Sequence, residues 1–273
     1  PFGDGVARAA LLRRRGRGLR LLRALPQMVP RRAAARRRRR HLRRLGGHRR
    51  RPCQGMREAR QQGLPAGEER GGPRQVVAEI GRENAVALRC DCSDAAQVAK
   101  VAEAVGVPTV LVNNAGAGAW RFLNEAPASD VSFCLGAPYV AAALLSREFA
   151  PKMIRSGKKS SILAVQSPAG LLAVPGATSY VCARWALRGL YESLVQDCYG
   201  SSVNSQMAVF GEVSSEYFST NAGAADRLPK IAKWVVKPIL TPEAAAVVAA
   251  DQIESGRAVV FAPFMLRVVA GLN

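Results

Sequence analysis

Lysine is missing from the first 75 residues of this 273-residue chain, and so are Ser, Thr, Asn, Ile, Tyr and Trp. A segment made mainly of Arg, Ala, Gly, Leu and Pro cannot bury enough apolar surface to order itself. Histidine occurs only as His41 and His48, both in that segment. Of six cysteines only Cys90 and Cys92 lie close together, at a spacing that fits no common zinc pattern. Incidental thiols of this kind predict a reducing compartment, the cytoplasm or an organelle interior, rather than secretion. Uninterrupted apolar runs are short. Even the longest candidate span, residues 258 to 272, is only 15 residues and is broken by Pro263 and Arg267, so no transmembrane segment is expected.

What is abundant is arginine, and it is unevenly placed. The net charge is +20; residues 1–75 hold 23 Arg against four acids (Asp4, Glu58, Glu68, Glu69), a net of +19. Residues 76–273 hold 17 basic and 16 acidic residues, a net of +1. This divides the chain into an Arg-rich, low-complexity segment over 1–75 and a globular domain over 76–273. The second part is long enough to bury a sizeable core.

Four readings of the first segment compete. An arginine-rich arm can neutralise nucleic-acid phosphates, but no Tyr or Trp for base stacking and no second nucleic-acid motif accompanies it. An organelle transit peptide is Arg-rich and acid-poor but also Ser-rich, and Ser is absent from the segment. Simple disorder is the third. The fourth explains the composition better: GC-rich coding sequence read out of frame. Shifted by one nucleotide, residues 42 to 49 can reread as Ser-Gly-x-x-x-Gly-Ile-Gly, and residues 63 to 68 as Val-Tyr-Leu-Leu-Ala-Arg. Those are a glycine-rich turn and a strand ending in Arg, in the right order for a dinucleotide site. In the unshifted frame only Gly46-Gly47 remains, with no apolar strand before it.

From residue 75 onward, apolar runs of strand length alternate with longer helical patterns, which predicts a parallel sheet with crossover helices. Strands are predicted over residues 85–90, 108–112, 161–165, 204–210 and 258–262. Helices are predicted at 75–80 (the end of one), 95–105, 138–154, 179–198 and 241–254. In the second helix Val98, Val101, Ala102 and Val105 share a face. The last opens with Thr241-Pro242-Glu243, a cap followed by a first-turn proline. Trp120, Trp185 and Trp234 are read as packing residues.

Three short patterns carry chemistry. Asn113-Asn114-Ala115-Gly116 directly follows an apolar strand, and read alone it is a turn, since Asn and Gly tolerate left-handed backbone. Cys90-Asp91-Cys92-Ser93-Asp94 ends the preceding strand, and read alone Asp91 is a turn acid leading a helix. Tyr180 and Arg184 lie four residues apart, on one face of a helix, with Ser167 13 residues before the tyrosine and Pro175-Gly176 between. Alone, such a Tyr-x-x-x-Arg pair is a surface helix.

Together these residues resemble the short-chain dehydrogenase/reductase family, over about 198 of 273 residues. The resemblance implies an α/β fold with a doubly wound parallel sheet (Rossmann-like), its first βαβ unit missing or degraded in the unshifted frame. It implies an NAD(P)-dependent oxidoreductase that interconverts an alcohol and a carbonyl. Ser167, Tyr180 and Arg184 correspond to the catalytic Ser and Tyr-x-x-x-Lys. The cofactor set becomes Asp91 at the adenine, Asn113, Ala115 and Gly116 on the adenosine side, and Tyr180 with Arg184 at the ribose. Phe210-Gly211-Glu212-Val213-Ser214-Ser215 resembles the family's Pro-Gly-x-Val-x-Thr turn, so Gly211, Val213 and Ser215 meet the nicotinamide carboxamide. Residues 216–229 become either a lid over substrate or a plain surface loop. No metal is implied.

The chemistry suits these side chains. Hydride addition to a carbonyl leaves an alkoxide that a phenol can protonate, and a fixed cation one helical turn away favours the phenolate. Two departures stand out. Arg184 replaces the family's Lys, keeping the charge without a proton to give up. The family's helix Asn is absent, with Pro138 or a neighbour in its place. A shifted-frame Arg at the end of the second strand points to NADP over NAD. The expected partners are a small alcohol or carbonyl substrate and, by analogy, a second copy of the chain. The rival readings are a catalytically impaired or non-catalytic relative that binds no cofactor, and a nucleic-acid-associated protein using the Arg-rich block.

Overall fold

The computed structural model describes residues 10–12, 73–81, 83–214, 228 and 230–271. Five strands form one sheet in chain order: β1 (Ala10–Leu12), β2 (Val110–Asn113), β3 (Ser160–Gln166), β4 (Val203–Phe210) and β5 (Val259–Ala262). From β2 to β5 every pair is parallel, with Val110 opposite Ser161, Gln166 opposite Val209 and Phe210 opposite Ala262. β1 runs antiparallel to β2, Ala10 facing Val112. The helices are α1 (Pro73–Ile80), α2 (Ala95–Val105), α3 (Ser129–Leu135), α4 (Ala141–Arg155), α5 (Thr178–Asp197), α6 (Lys230–Val235), α7 (Pro242–Ser255) and α8 (Met265–Gly271).

The strands alternate, and the alternation sorts the core into two layers. On one face Leu111 and Ile162 pack against Val98 and Ala102 of α2 and Leu145, Phe149 and Met153 of α4. Farther along that face Ala164, Met207 and Val209 meet Leu187 and Tyr191 of α5. On the other, Val110, Val112, Leu163, Ala208 and Phe210 meet Ala245, Ala249 and Ile253 of α7. This is the doubly wound α/β arrangement the sequence predicts. Local signals set the helix ends: Asp94 accepts from the Ala96 and Gln97 amides to start α2, and Thr241 accepts from Ala244 to start α7. α7 stops at Gly256, whose φ of 72° is left-handed backbone that glycine adopts at least cost.

Four expectations need correction. Residues 85–90 form no strand: Val86 and Leu88 are exposed, and among the described residues no strand lies beside them to complete a ladder. The Arg-rich segment is not wholly outside the fold, because β1 and the start of α1 belong to it. Its other residues, including the Arg block and the Gly46-Gly47 turn, lie outside the described residues. The helix expected from 138 begins earlier. α3, a π-helical turn over Gly136–Val140 and α4 run on as one rod, Ser129–Arg155. An 18-residue window of that rod reaches a mean hydropathy of 1.3, so by length and composition alone it passes as a membrane-crossing helix. Ala141, Leu145, Phe149 and Met153 nonetheless face the sheet, as in a core helix. Trp185 and Trp234, finally, are exposed rather than packed.

Leu111 is fully buried at the centre of β2. Leu111→Ala is expected to cost about 2–5 kcal/mol, read as a lower denaturant midpoint at unchanged slope. Val247→Ala, on the exposed side of α7, should shift stability by no more than about 0.5 kcal/mol. Equal effects would contradict this layering.

Candidate active site

β2, β3 and β4 are parallel neighbours, so Asn113, Ser167 and Gly211 stand at the same end of the sheet. Asn113 ends β2 with its side chain buried; its Nδ2 donates to Ser146 Oγ on α4 at 3.2 Å, while its Oδ1 has no partner. The chain then turns through Asn114, Ala115 and Gly116. A Cβ on Gly116 would lie 2.7 Å from Arg184 Nη2, so the guanidinium occupies the space that a side chain there would need.

Arg184 reaches that point because α5 presents Tyr180, Ala183, Arg184, Leu187 and Tyr191 on its buried face. The residue is 9% exposed; its guanidinium donates through Nη1 to the Val165 carbonyl at 3.0 Å and leaves Nε without a partner. Its Cζ lies 5.2 Å from the Tyr180 ring centroid, within cation–π range. Among the described residues no carboxylate forms an ion pair with it. Sequence spacing therefore placed tyrosine and arginine correctly on one face. The structure adds that arginine also ties α5 to β3.

Ser167 follows β3 directly and caps a short 3-10 turn, Pro168–Gly170, its Oγ accepting from the Ala169 amide at 3.3 Å. Ala169 shares an apolar cluster with Tyr180, Ala119, Cys134, Ala177 and Ala183, so the turn carrying Ser167 packs in the same cluster as the phenol ring. Trp120 stacks on that ring with centroids 5.9 Å apart. The loop bearing Trp120 is held down by an ion pair between Arg121 and the buried carboxylate of Asp130 on α3. Cys134 lies below, its Sγ accepting the Ala119 amide at 3.3 Å. Burial pushes its thiol up to about 11, with the Ala119 hydrogen bond a smaller opposing effect.

Of the other expected residues, Asp91, Gly211 and Val213 are described. Asp91 makes a local turn: its Oδ1 accepts from the Ser93 amide and hydroxyl at 3.0 and 2.6 Å. Burial is also the main cause raising the neighbouring Cys90 thiol. After β4, Gly211 donates to the Ala262 carbonyl, and a Cβ there would meet the Val236 carbonyl at 2.7 Å. That glycine is thus required by the chain's own packing. Val213 bridges to Leu240, and the Ser214 and Leu240 amides donate across the same seam. Ser215, and residues 216–229 apart from Leu228, lie outside the described residues.

Pro138 is buried in the π turn, where the Ala141 amide donates to the Gly136 carbonyl five residues back. With no N–H of its own, Pro138 cannot continue the i to i−4 ladder, which suits a π turn there. It brings no side-chain hydrogen-bonding group to the position where the family has Asn. Gln166, Ser146 and Asp130 escaped notice in the sequence. The available signal for Gln166 was a polar residue continuing the inward-facing series Ile162, Ala164.

The model of the short chain dehydrogenase family matches residues 57–224, beginning upstream of the boundary expected at 76. The chain belongs to that family. Among curated proteins it is similar to epidermal retinol dehydrogenase 2 of Mus musculus, 29% identical over 124 residues, covering 44% of this chain and 40% of that one. It is also similar to oxidoreductase BOA17 of Botryotinia fuckeliana, 25% identical over 172 residues, covering 58% and 57%. The chain thus spans about 40 to 57% of the length of these relatives. A short chain dehydrogenase/reductase of Burkholderia phymatum, solved with NAD, shares the fold at TM-score 0.63 and 24% identity, covering 73% and 79%. A metagenomic short-chain oxidoreductase solved with NADP gives 0.54 at 26%, covering 69% and 77%.

The contrast between thiols on this site's two sides is measurable. Iodoacetamide at pH 8 is expected to alkylate exposed Cys182 and spare buried Cys134 in the folded chain, read by peptide mass spectrometry. Labelling of Cys134 as fast as Cys182 would contradict the packing around Tyr180.

Proposed function

We propose that this chain is an NAD(P)-dependent oxidoreductase that interconverts an alcohol and a carbonyl, with Tyr180 as the acid/base. One observation carries the reading: the buried Arg184 guanidinium lies over the Tyr180 ring, against Gly116, and on the Val165 carbonyl close to Ser167 in the chain. A cation with no carboxylate ion pair among the described residues, and with an unpartnered buried Nε, supports a polar ligand at the strand ends. The orphaned Asn113 Oδ1 in the neighbouring turn is a second unused group on the same rim. The residues present therefore fit such a nicotinamide cofactor, whose role when bound is to carry the hydride.

The protein's own contribution follows from the side chains. Tyr180 Oη gives its proton to the alkoxide that forms from the carbonyl, and takes one back in the reverse direction. Ser167 Oγ donates to the substrate oxygen and holds it facing the phenol. Arg184 stays charged throughout, stabilises negative charge on the phenol oxygen, and directs free N–H groups to the ribose. Because arginine releases no proton and Pro138 supplies no relay group, neither position can pass the proton on. Asp91, Asn113, Ala115 and Gly116 form the adenosine side, and Gly211, Val213 and Ser215 the carboxamide side. NADP is the form favoured by the shifted-frame arginine. The substrate is a small alcohol or carbonyl compound, and the working unit is a homo-oligomer.

Tyr180→Phe is expected to lower turnover on a panel of secondary alcohols at least about a hundredfold. Its thermal midpoint should stay within a few degrees, and nicotinamide fluorescence titration should remain saturable. Undiminished turnover would remove Tyr180 from the mechanism. A wild-type chain that shows no saturable NADPH or NADH binding would instead mark a non-catalytic relative.

A further inference from the structure

Gln166 is the last residue of β3 and is 2% exposed, at a place where an apolar side chain would satisfy packing alone. Its carboxamide makes two hydrogen bonds of opposite sense. Oε1 accepts the Ser167 amide at 2.9 Å, and Nε2 donates to the Arg184 carbonyl on α5 at 2.8 Å. The partners fix the amide's orientation, because one can only donate and the other can only accept. A third element touches the same group: a Cβ on Gly170 would fall 2.6 Å from Cδ and Nε2 and 2.8 Å from Oε1. The turn carrying Ser167 thus crosses directly over the carboxamide and needs glycine to do so. A reciprocal bond closes the unit, since the Arg184 side chain returns to the Val165 carbonyl at 3.0 Å.

We propose that Gln166 is a positioning residue, whose carboxamide sets the placement of the Ser167 hydroxyl relative to the helix turn that bears Tyr180 and Arg184. The inference rests on the catalytic reading of Ser167 and Tyr180, and it names what holds those two groups in register. Gln166 touches neither substrate nor cofactor. It acts through the backbone on both sides of the gap in which the substrate oxygen would sit. Replacing it with an apolar residue of similar size keeps the volume but leaves the Ser167 amide without an acceptor. The strand end and the helix can then slide past one another. Small displacements of this kind reduce turnover more than binding.

The test is a double-mutant cycle in the full chain with a secondary-alcohol panel and NADP, run beside amide hydrogen exchange. Gln166→Met is expected to lower kcat at least about tenfold with the KM for NADP changed less than about twofold. In a Ser167→Ala background the same substitution should cost less than about threefold, because the group it positions is gone. Equal losses in both backgrounds would reduce Gln166 to a packing residue and overturn the proposal. Exchange at the Ser167 amide reads the clamp without turnover: at least about tenfold faster in Gln166→Met supports it, and an unchanged rate overturns it. Should no alcohol turn over, the catalytic reading fails on its own, and the exchange rate still decides the clamp. If Gln166→Met does not fold, Gly170→Ala, which pushes the carboxamide aside while keeping Gln166, must give the same pattern or the proposal falls.

Discussion

A guanidinium buried beside the ends of two strands, with no carboxylate among the described residues to pair with, imposes conditions on everything near it. Removing a cation from water is costly unless its N–H groups find acceptors and its charge finds polarisable or negative partners. Arg184 meets this demand with the Val165 carbonyl and the face of the Tyr180 ring, and it lies against Gly116. Each element constrains the rest. A side chain at position 116 would collide with the guanidinium, and loss of the tyrosine face would strip away a favourable partner. Movement of β3 along α5 would break the carbonyl contact. The Nε donor stays buried without a hydrogen-bond partner.

The sheet makes this possible because parallel strands end together. β2, β3 and β4 all terminate on one edge of the layer, so Asn113, Gln166 and Phe210 deliver three turns to one region although they are far apart in sequence. Strict alternation sends Leu111, Ile162, Ala164, Met207 and Val209 toward α2, α4 and α5, and the intervening residues toward α7. Ligands of open α/β sheets bind beyond the carboxyl ends of strands for the same reason. Membership in the short-chain dehydrogenase family and this geometry agree.

Much of this was legible in the residues themselves, where the signal was local. α2 coincides with its predicted bounds because Asp94 caps it and Val98 and Ala102 repeat at helical spacing. The strand before Asn113, the helix bearing Tyr180 and Arg184, and the cap at Thr241 were readable for similar reasons. What escaped depends on partners distant in sequence. Residues 85–90 have a strand's composition, yet a strand exists only where another backbone pairs with it. The 27-residue rod Ser129–Arg155 was hidden because Gly136 and Pro138 look like breakers, whereas a π turn carries the helix through them. Exposure of Trp185 and Trp234 reflects which helix face found a neighbour, and composition says nothing of that. Gln166 lay just past the strand predicted over 161–165 and drew no notice, and its meaning appeared only once α5 lay across it.

The central claim is that the Arg184 guanidinium organises a nicotinamide-binding site at these strand ends. NADPH fluorescence titration of the wild-type chain and of Arg184→Met tests it most directly. The account requires saturable binding by the wild type and at least about tenfold weaker binding by the variant, with both folded by circular dichroism. Identical saturation curves for the two, or none for the wild type, would contradict it.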